Sequence, residues 1–473
     1  MVRNRRVTAA VLAAATAGCL LAAAGCSGFN YGPSSTGATA TPTAPAATTP
    51  APPGRQRYPA AAWPAFGGNA ARTGAAAAAA AGPLRIAWQV RLGGAVYGQP
   101  LLVGGLVIVA TEDDTIYALD SATGRVAWWN RVGTPVPLSA LPCGDIDPLG
   151  ITGTPVYDRA DGLVYAVAET SGYRHVLVGV SVADGAVRVR RDIPAPDGQP
   201  RYDQQRPALA LEDGRVYVAF GGLFGDCGPY RGSVVGVPVG GGGPLVSYVV
   251  PTPRGGAIWG TAGPVAGPGG TLYVGVGNGS AASTGFDGSD SVTALSPALR
   301  RTGIFAPVTW RSDNAADLDL GSTQPALTGT GMLLALGKSG TAYLLDPARL
   351  GGVGGQVAEA GVCPAYGAAA VAGSTVYEPC AQGGLAAVAV AGGRIRVLWR
   401  GPAGAAGSPV TGGGAVWVTD YAAGTLYELD PRTGAVRYSL RLGTTLPHFA
   451  SLSMAGHQAY LGTSQGVIAV AGA

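Results

Sequence analysis

The segment TIYALDSATGRVAWW, residues 115–129, decides the fold of this chain. It combines an aromatic residue, an alternation of apolar and other residues, an aspartate, a turn ending in glycine, and a second apolar run. The pattern returns in TAYLLDPARLGG, residues 341–352, and in TLYELDPRTGAVRYSL, residues 425–440. Short alternating runs punctuated by glycine are typical of β-strands, so the pattern predicts an all-β protein without a long helix.

Units built on this pattern occur eight times. Each takes about fifty residues, which suits one four-stranded propeller blade. The strand–turn–strand cores of these units lie near residues 106–128, 156–187, 216–249, 264–304, 326–357, 369–399, 409–440 and 452–470. We therefore predict an all-β fold, an eight-bladed β-propeller of four-stranded antiparallel blades.

The eighth unit ends at GVIAVAGA, residues 466–473, without a final strand. LRIAWQVRL, residues 84–92, has the form of that strand, with Trp88 where Trp128 and Trp399 stand in their units. Pairing the two segments would remove an exposed sheet edge. We predict that N-terminal and C-terminal strands close the ring in one blade.

Residues 1–25 have the order of a secretory signal peptide. Three arginines within the first six residues precede an apolar run that extends to residue 21. The small residues before Cys26 resemble the lipobox of bacterial lipoproteins, so we expect cleavage there and lipidation of Cys26. Cys19 is the rival site, and an ordinary signal peptide with an incidental Cys26 is the other alternative. The expected location is the outer face of the cytoplasmic membrane.

Residues 26–62 form a tether of mostly alanine, proline, threonine and serine. Such a composition cannot bury enough apolar surface to offset the entropy of ordering. At about 3 Å per residue, some thirty extended residues reach on the order of 100 Å. The propeller itself is expected over residues 63–473.

The charge balance argues against a nucleic-acid partner. The net charge is +4 and 12% of residues are charged, whereas nucleic-acid binding requires a clustered basic face. The three histidines are isolated from one another and from cysteine, so a zinc site is not expected. We expect a monomer.

Four cysteines fall in the expected propeller: Cys143, Cys227, Cys363 and Cys380. An even number in an exported domain favours disulfides, and three connectivities exist. Sequence proximity and blade order favour Cys363 with Cys380, within the sixth unit, and Cys143 with Cys227, between two long loops over one mouth of the ring. Buried free thiols are the alternative.

WPAFGGNAARTG, residues 63–74, followed by repeats that end in Tyr-x-Leu-Asp-x-x-Thr-Gly, resembles the pyrroloquinoline-quinone-like β-propellers. That family includes quinoprotein alcohol dehydrogenases and a non-catalytic outer-membrane assembly lipoprotein. The resemblance covers the chain after the tether and implies the fold. It does not by itself imply an activity, because the same propeller serves enzymes and scaffolds.

The resemblance also implies site residues for pyrroloquinoline quinone and calcium. Trp259 in GGAIWG looks like the tryptophan beneath the quinone, and Lys338 in GKSGTAYLLD looks like the lysine that reaches a quinone oxygen. Asn278 in YVGVGN looks like a calcium ligand. Glu169 in AETSGYR is near the family's second calcium ligand but one place out of register.

Each of these residues also has an ordinary structural interpretation. Asn278 precedes a glycine in a favoured hairpin turn, Trp259 could fill the space between blades, and Lys338 could be a solvated turn residue. The family's adjacent cysteine pair is absent, and Ser296 and Pro297 stand where its catalytic carboxylate is expected. No base is assigned. Four aspartates in glycine-rich loops are candidates, although such residues commonly form turns: Asp287, Asp290, Asp317 and Asp319.

Two classes of function remain. The first is a surface-anchored lipoprotein whose propeller binds a protein, glycan or cell-wall ligand without catalysis. The second is a quinoprotein that oxidises an alcohol or sugar. The missing residues are those nearest the chemistry, which favours the first class.

Overall fold

The computed structural model describes residues 59–77, 82–280 and 285–472. In these residues, eight antiparallel sheets of four principal strands form the blades of a propeller, which confirms the predicted fold. The expected signal peptide, Cys26 and most of the expected tether lie outside the described residues.

The strands follow the blade order of the sequence. Those of blades 1 and 2 are Leu101–Val103, Leu106–Ala110, Thr115–Asp120 and Val126–Arg131, then Val156–Asp158, Leu163–Thr170, Arg174–Ser181 and Val187–Ile193. Those of blades 3 and 4 are Ala210–Glu212, Arg215–Gly222, Ser233–Pro238 and Val246–Val249, then Val265–Ala266, Leu272–Val276, Ser291–Leu295 and Arg301–Ala306.

The second half of the ring repeats this arrangement. The strands of blades 5 and 6 are Ala326–Leu327, Leu333–Ala335, Thr341–Leu345 and Ala358–Gly361, then Ala370–Ala372, Thr375–Cys380, Gly384–Ala391 and Arg394–Arg400. Those of blades 7 and 8 are Val410–Gly412, Ala415–Asp420, Thr425–Leu429 and Val436–Arg441, then Leu452–Ala455, Gln458–Thr463, Gly466–Gly472 and Leu84–Arg91.

Three short strands extend these sheets. Ala61–Trp63 adds to blade 1 and Asp203–Gln204 adds to blade 3, whereas Gly352–Val353 pairs in parallel with the outermost strand of blade 4. The described α-helix is the six-residue segment Trp310–Ala315. Short 3-10 turns occur at Phe66–Gly68, Leu138–Ala140, Pro268–Gly270 and Leu320–Ser322. None of the described helices has the length and apolar character needed to span a membrane.

Blade 8 closes the ring as predicted. Its outermost strand, Leu84–Arg91, pairs antiparallel with Gly466–Gly472, and Trp88 lies opposite Ala469. One blade therefore contains both ends of the domain, and the sheet edge that an open ring would expose is paired.

The apolar core is divided among the spaces between blades. One cluster takes Ile108 from blade 1 and Val164 from blade 2, and another combines Trp417 of blade 7, Leu461 of blade 8 and Val109 of blade 1. Because each interface is shared by neighbouring blades, closure of the ring gives every blade a packed interface on both sides.

Trp88, Trp128 and Trp399 repeat one contact between neighbouring blades. Their indole N–H groups donate to backbone carbonyls of the next blade at 2.9–3.0 Å. The ring of Trp128 lies over Gly185, where an added Cβ would come within 2.6 Å of the indole and where φ is +72°. The tryptophan and the glycine-ending turn recognised in the sequence are thus two sides of one interface.

Residues 59–76 run through the centre of the ring. The segment enters beside the turn between the first two strands of blade 1, where Gly104 N–H donates to the carbonyl of Ala60. Further backbone bonds join it to blades 2, 4, 6 and 7 through Tyr157 to Pro64, Ala266 to Ala70, Val371 to Thr73, and Thr411 to Gly74. Its side chains, including buried Trp63 and Phe66, fill the channel.

Arg72 is the buried charge of this central segment. Its guanidinium donates to the carbonyls of Phe66, Leu209 and Pro264 at 2.7–3.3 Å. Burial lowers the pKa of Arg72 to about 10. The side chain therefore connects the central segment to the entry of blade 3 and the entry of blade 4.

Glu378 in blade 6 should make stability pH-dependent. Burial raises the pKa of this carboxyl to about 8, against about 4.3 in an unfolded chain. Between these values the folded protein keeps a proton that the unfolded chain releases, so stability falls as pH rises and levels off above pH 8. From pH 5 to pH 7 we expect Glu378→Gln to gain about 2–3 kcal/mol relative to wild type. Urea unfolding at both pH values measures this difference, and parallel pH profiles would contradict it.

Candidate functional site

A cavity of about 620 Å³ opens at the end of the ring opposite the entry of the central segment. Strands alternate in direction within a blade, so residues before first strands and after second strands meet at this end. Its walls come from blades 3, 4, 5, 6 and 8, which places it on the propeller axis. Representative lining residues from these blades are Arg206, Trp259, Asn278, Lys338, Tyr366 and Phe449.

Trp259, Asn278 and Lys338 all line this cavity. The ammonium of Lys338 lies 5.8 Å from the centroid of the Trp259 ring. Trp259 precedes the first strand of blade 4, Asn278 follows the second strand of the same blade, and Lys338 follows the second strand of blade 5. Residues separated by up to 79 positions in sequence are thus brought together by neighbouring blades.

Lys338 is held by two carboxylates of the preceding loop. Its Nζ lies 2.9 Å from Oδ1 of Asp317 and 2.5 Å from Oδ2 of Asp319. Burial acts to lower the pKa of Lys338, but the charges and hydrogen bonds of Asp319 and Asp317 outweigh it and raise that pKa above its usual range. The lysine is therefore a fixed cation at neutral pH.

Asn278 shares the same two aspartates. Its Nδ2 donates to Oδ1 of Asp317 at 2.7 Å, and its backbone N–H donates to Oδ1 of Asp319 at 2.5 Å. Its Oδ1 is buried without a hydrogen-bond partner among the described residues. A buried acceptor without a donor costs free energy, so this oxygen is suited to a ligand donor or a cation.

Asp290 adds a neutral acid behind this group. Burial raises its pKa to about 9, so the carboxyl is protonated at neutral pH. Its Oδ1 accepts the backbone N–H of Leu320 at 3.0 Å, whereas Oδ2 has no partner in the described chain. Asp290 thus supports the loop that carries Asp319 and adds no charge to it.

Glu169, the other sequence candidate for calcium, is not a lining residue of the cavity. It is buried in blade 2, where Oε2 lies 3.3 Å from Nε2 of His175. The ring of His175 also packs edge-on against Phe220 at 4.9 Å between centroids. The structure therefore brings Trp259, Asn278 and Lys338 together but leaves Glu169 outside the group.

Aromatic side chains form one wall of the cavity. Tyr366 and Phe449 stack with centroids 6.1 Å apart and an interplanar angle of 5°, and each ring is tilted against Trp259 at 6.3–6.4 Å. The guanidinium of Arg206 lies 5.0 Å from the centre of Phe449. Phe449 has φ +65°, a conformation that bulky residues rarely adopt and that is concentrated at functional sites.

The disulfide between Cys143 and Cys227 is confirmed, and it holds the outer wall of the cavity. It joins the loop after blade 1 to the loop within blade 3, from which Leu223 and Phe224 reach the cavity. Leu223 also packs with Ile146 in a small apolar cluster beneath these loops. The crosslink therefore fixes two loops that have few strand contacts.

The disulfide between Cys363 and Cys380 is also confirmed. Cys380 ends the second strand of blade 6, but Cys363 lies in the connection from blade 5, so the bond does not lie within the sixth unit as expected. The connection crosses the cavity end and reaches Tyr366 three residues later. This bond thus restrains the segment that carries an aromatic residue of the cavity wall.

The residues of the cavity fit pyrroloquinoline quinone better than they fit calcium, the two cofactors that the resemblance implies. A flat anionic quinone suits the aromatic wall, the cation of Lys338 and a volume of about 620 Å³. Calcium requires about six to eight oxygen ligands, yet Glu169 is paired with His175, and both Asp317 and Asp319 are paired with Lys338. Among the described residues no group of three or more acidic, histidine or cysteine side chains is arranged to hold a metal. The cavity therefore fits the quinone better than it fits the calcium ion.

Several site residues could not be chosen from the sequence. Asp317 and Asp319 were two of four aspartates in glycine-rich loops, and only their ion pairs with Lys338 separate them from Asp287 and Asp290. No sequence pattern identified Phe449 or Arg206 as cavity residues, because a single aromatic or basic residue in a loop has many ordinary roles. Their positions depend on the packing of distant blades.

A sequence profile described as outer membrane protein assembly factor BamB matches residues 68–222 and 308–440, more than half of the chain. The chain belongs to this family of pyrroloquinoline-quinone-like propellers. The matched segments contain Lys338 and the aromatic Tyr366, whereas Trp259 and Asn278 lie between them. No curated protein matches the whole sequence significantly.

Solved structures of quinohemoprotein alcohol dehydrogenases and of BamB share the fold of this chain. Quinohemoprotein alcohol dehydrogenase ADHIIG from Pseudomonas putida HK5 has a TM-score of 0.69 at 14% identity, over 86% of this chain and 80% of the other. The enzyme of that class from Comamonas testosteroni has a TM-score of 0.64 at 16% identity, over 88% and 80%. BamB from Moraxella catarrhalis has a TM-score of 0.58 at 16% identity, over 82% and 98%. At such identities these likenesses establish the fold alone.

Proposed function

We propose that this protein is an exported, lipid-anchored binding protein whose propeller captures a ligand in the axial cavity without turning it over. The observation that carries the proposal is the convergence of Trp259, Lys338 and the Tyr366–Phe449 stack on one cavity. Aromatic faces with a few fixed polar groups are the usual composition of a small-molecule site.

The state of the cavity carboxylates supports binding without catalysis. Asp317 and Asp319 are paired with Lys338, and Asp226 accepts the hydroxyl of Tyr230 at 2.5 Å. The fourth lining carboxylate, Asp145, is exposed and interacts with the charge of Arg206. A general base must be free to accept a proton from the substrate. A substrate would have to displace these partners before Asp226, Asp317 or Asp319 could accept its proton, which favours a binding role for the cavity.

The position of the central segment suits an anchored protein. The described chain enters the ring at its N-terminal side through Pro59 and Ala60, at the end opposite the cavity. An anchor at Cys26 with a tether that ends before Pro59 would therefore join the propeller at the end opposite the cavity.

Substituting Cys26 with serine tests the anchor. Because serine cannot take the thioether-linked lipid, the protein should move from the membrane fraction to the medium. Immunoblots of both fractions measure the change, with Cys19→Ser as the matched control that should leave the protein in the membrane. Retention of Cys26→Ser in the membrane fraction would contradict lipid attachment at this cysteine.

A quinoprotein dehydrogenase is the second candidate. The observation in its favour is that Trp259 and Lys338, the residues implied for the quinone, face each other across 5.8 Å in the cavity. When bound, a quinone of this type would supply the two-electron acceptor for oxidation of an alcohol or sugar. The chain's own contribution would be stacking by Trp259 and a fixed positive charge from Lys338.

Titration with pyrroloquinoline quinone, with and without calcium, distinguishes these candidates. We expect calcium-independent binding that weakens at least about tenfold in Trp259→Ala, since base–aromatic stacking of comparable rings is worth about 1–3 kcal/mol. Tyr438→Ala, an exposed aromatic on the outer strand of blade 7, is the matched control and should bind normally.

A panel of alcohols and sugars with an artificial electron acceptor completes the experiment. We expect no quinone-dependent dye reduction. Substrate-dependent reduction that is lost in Trp259→Ala would reverse the assignment in favour of the dehydrogenase. Quinone binding that is unaffected by Trp259→Ala would place the ligand outside the cavity and overturn the role assigned to it.

A further inference from the structure

We propose that the outer surface of blades 6, 7, 8 and 1 binds an anionic glycan chain, at a site separate from the axial cavity. The site consists of four arginines, one per blade, which we name the arginine rim, and an aromatic groove between blades 8 and 1. The members of the arginine rim are Arg400, Arg441, Arg91 and Arg131.

The four arginines occupy one structural position. Each is the last residue of the outermost strand of its blade. Outermost strands run in the same direction in every blade, so their final residues lie at the same end of the ring, which is the cavity end. Because blades 6, 7, 8 and 1 are neighbours, the arginines form a continuous arc around the circumference.

The outermost strands of this surface carry basic residues without acidic ones. The four outermost strands that end in the arginine rim contain no aspartate or glutamate. All four rim arginines are exposed, and none forms an ion pair within the part of the chain that the structure describes. Arg400 also donates to the carbonyl of Val362 and Arg441 to that of Ala423, which leaves their remaining N–H groups for a ligand. By contrast, Arg437 near the other end of its strand is paired with Asp430 at 2.7 Å.

An aromatic groove lies within the same arc. It has a volume of about 750 Å³ and is lined by Arg91 of blade 8 and by Tyr117 and Trp129, which lie opposite each other on neighbouring strands of blade 1. Trp129 is 63% exposed, although its neighbour Trp128 is used to pack against blade 2. A large exposed ring beside unpaired arginines is typical of a binding surface, since tryptophan and arginine are enriched in binding sites.

The arrangement specifies the chemistry of the partner. Guanidinium groups bind carboxylates and phosphates through paired, charge-assisted hydrogen bonds. Four of them repeated along an arc match a long chain with repeated negative charges better than a single small anion. The flat face of Trp129 offers a stacking surface for a sugar ring. An acidic polysaccharide satisfies both requirements, whereas an acidic peptide uses only the arginines.

Binding of purified protein to polygalacturonic acid tests the proposal, with dextran as the neutral glycan and polyglutamate as the anion without sugar. We expect binding to polygalacturonic acid that weakens in 0.5 M salt by about tenfold or more, and no binding to dextran. Arg91→Gln with Arg131→Gln should weaken it about tenfold. Arg85→Gln with Arg394→Gln, exposed arginines near the opposite ends of outermost strands, removes equal charge and should change it less than threefold.

The aromatic contribution has its own test. Trp129→Ala should weaken binding to polygalacturonic acid about fivefold or more and leave any binding to polyglutamate unchanged. Equal losses in the two arginine pairs would show that only net charge matters and would overturn the site. So would equal affinity for polyglutamate, preferential binding to anionic lipid vesicles, or no binding to polygalacturonic acid.

Discussion

Replacing Arg72 with methionine should lower the free energy of unfolding by about 3–5 kcal/mol. The substitution keeps an unbranched apolar stem but removes the donors that satisfy the carbonyls of Phe66, Leu209 and Pro264. These acceptors lie in the closed centre of the ring, where an unpaired carbonyl carries the full cost of desolvation. The central segment should then detach from blades 3 and 4 before the blades themselves unfold.

Urea unfolding followed by tryptophan fluorescence measures this loss. Arg349→Met is the matched control, because Arg349 is exposed in the loop after the third strand of blade 5. It should change the free energy of unfolding by less than about 0.5 kcal/mol. An Arg72→Met protein as stable as the control would show that the central segment contributes little to closure of the ring.

Removing the disulfide between Cys143 and Cys227 should cost about 4–5 kcal/mol, and removing that between Cys363 and Cys380 about 3 kcal/mol. The difference follows from loop length, since the first bond spans 84 residues and the second 17. Longer crosslinked loops remove more conformational freedom from the unfolded chain. Paired cysteine-to-alanine variants compared by urea unfolding provide the measurement.

Hydrogen exchange separates the two bonds further. Loss of the Cys143–Cys227 bond should accelerate exchange in the loops at 137–150 and 223–230, which form the outer wall of the cavity and contain little regular structure. Loss of the other bond should leave those loops protected and accelerate exchange near Tyr366. Faster exchange at Tyr366 alone in both variants would contradict this assignment of the loops.

The fold could be predicted because its signals are local and repeated. A strand, an aspartate turn and a glycine recur within about fifteen residues, and eight such units fill the length of a ring. The strand containing Trp88 could be matched to the missing strand of blade 8 because Trp128 and Trp399 supplied the comparison. The disulfide pairs followed from blade order for the same reason.

The candidate site was only partly predictable. Trp259, Asn278 and Lys338 have local motifs, and the structure places them in one cavity. Glu169 also has a nearby motif, yet its carboxylate faces His175 inside blade 2. A shift of one residue along a strand moves a side chain to the opposite face of the sheet. A sequence motif that is one place out of register therefore does not show which face its side chain occupies.

The sequence by itself determined the blade pattern and the closing strand, since each depends on residues close in sequence or on the order of repeats. It favoured the cysteine pairs, and the structure decided among the three connectivities. Only the tertiary structure decided which charges meet. It paired Lys338 with Asp317 and Asp319, enclosed Arg72 among three carbonyls, and aligned four arginines from four blades on one arc. A net charge of +4 gives no sign of that arc. Electrostatic interactions depend on distance in space, which the ring sets by joining residues far apart in the chain.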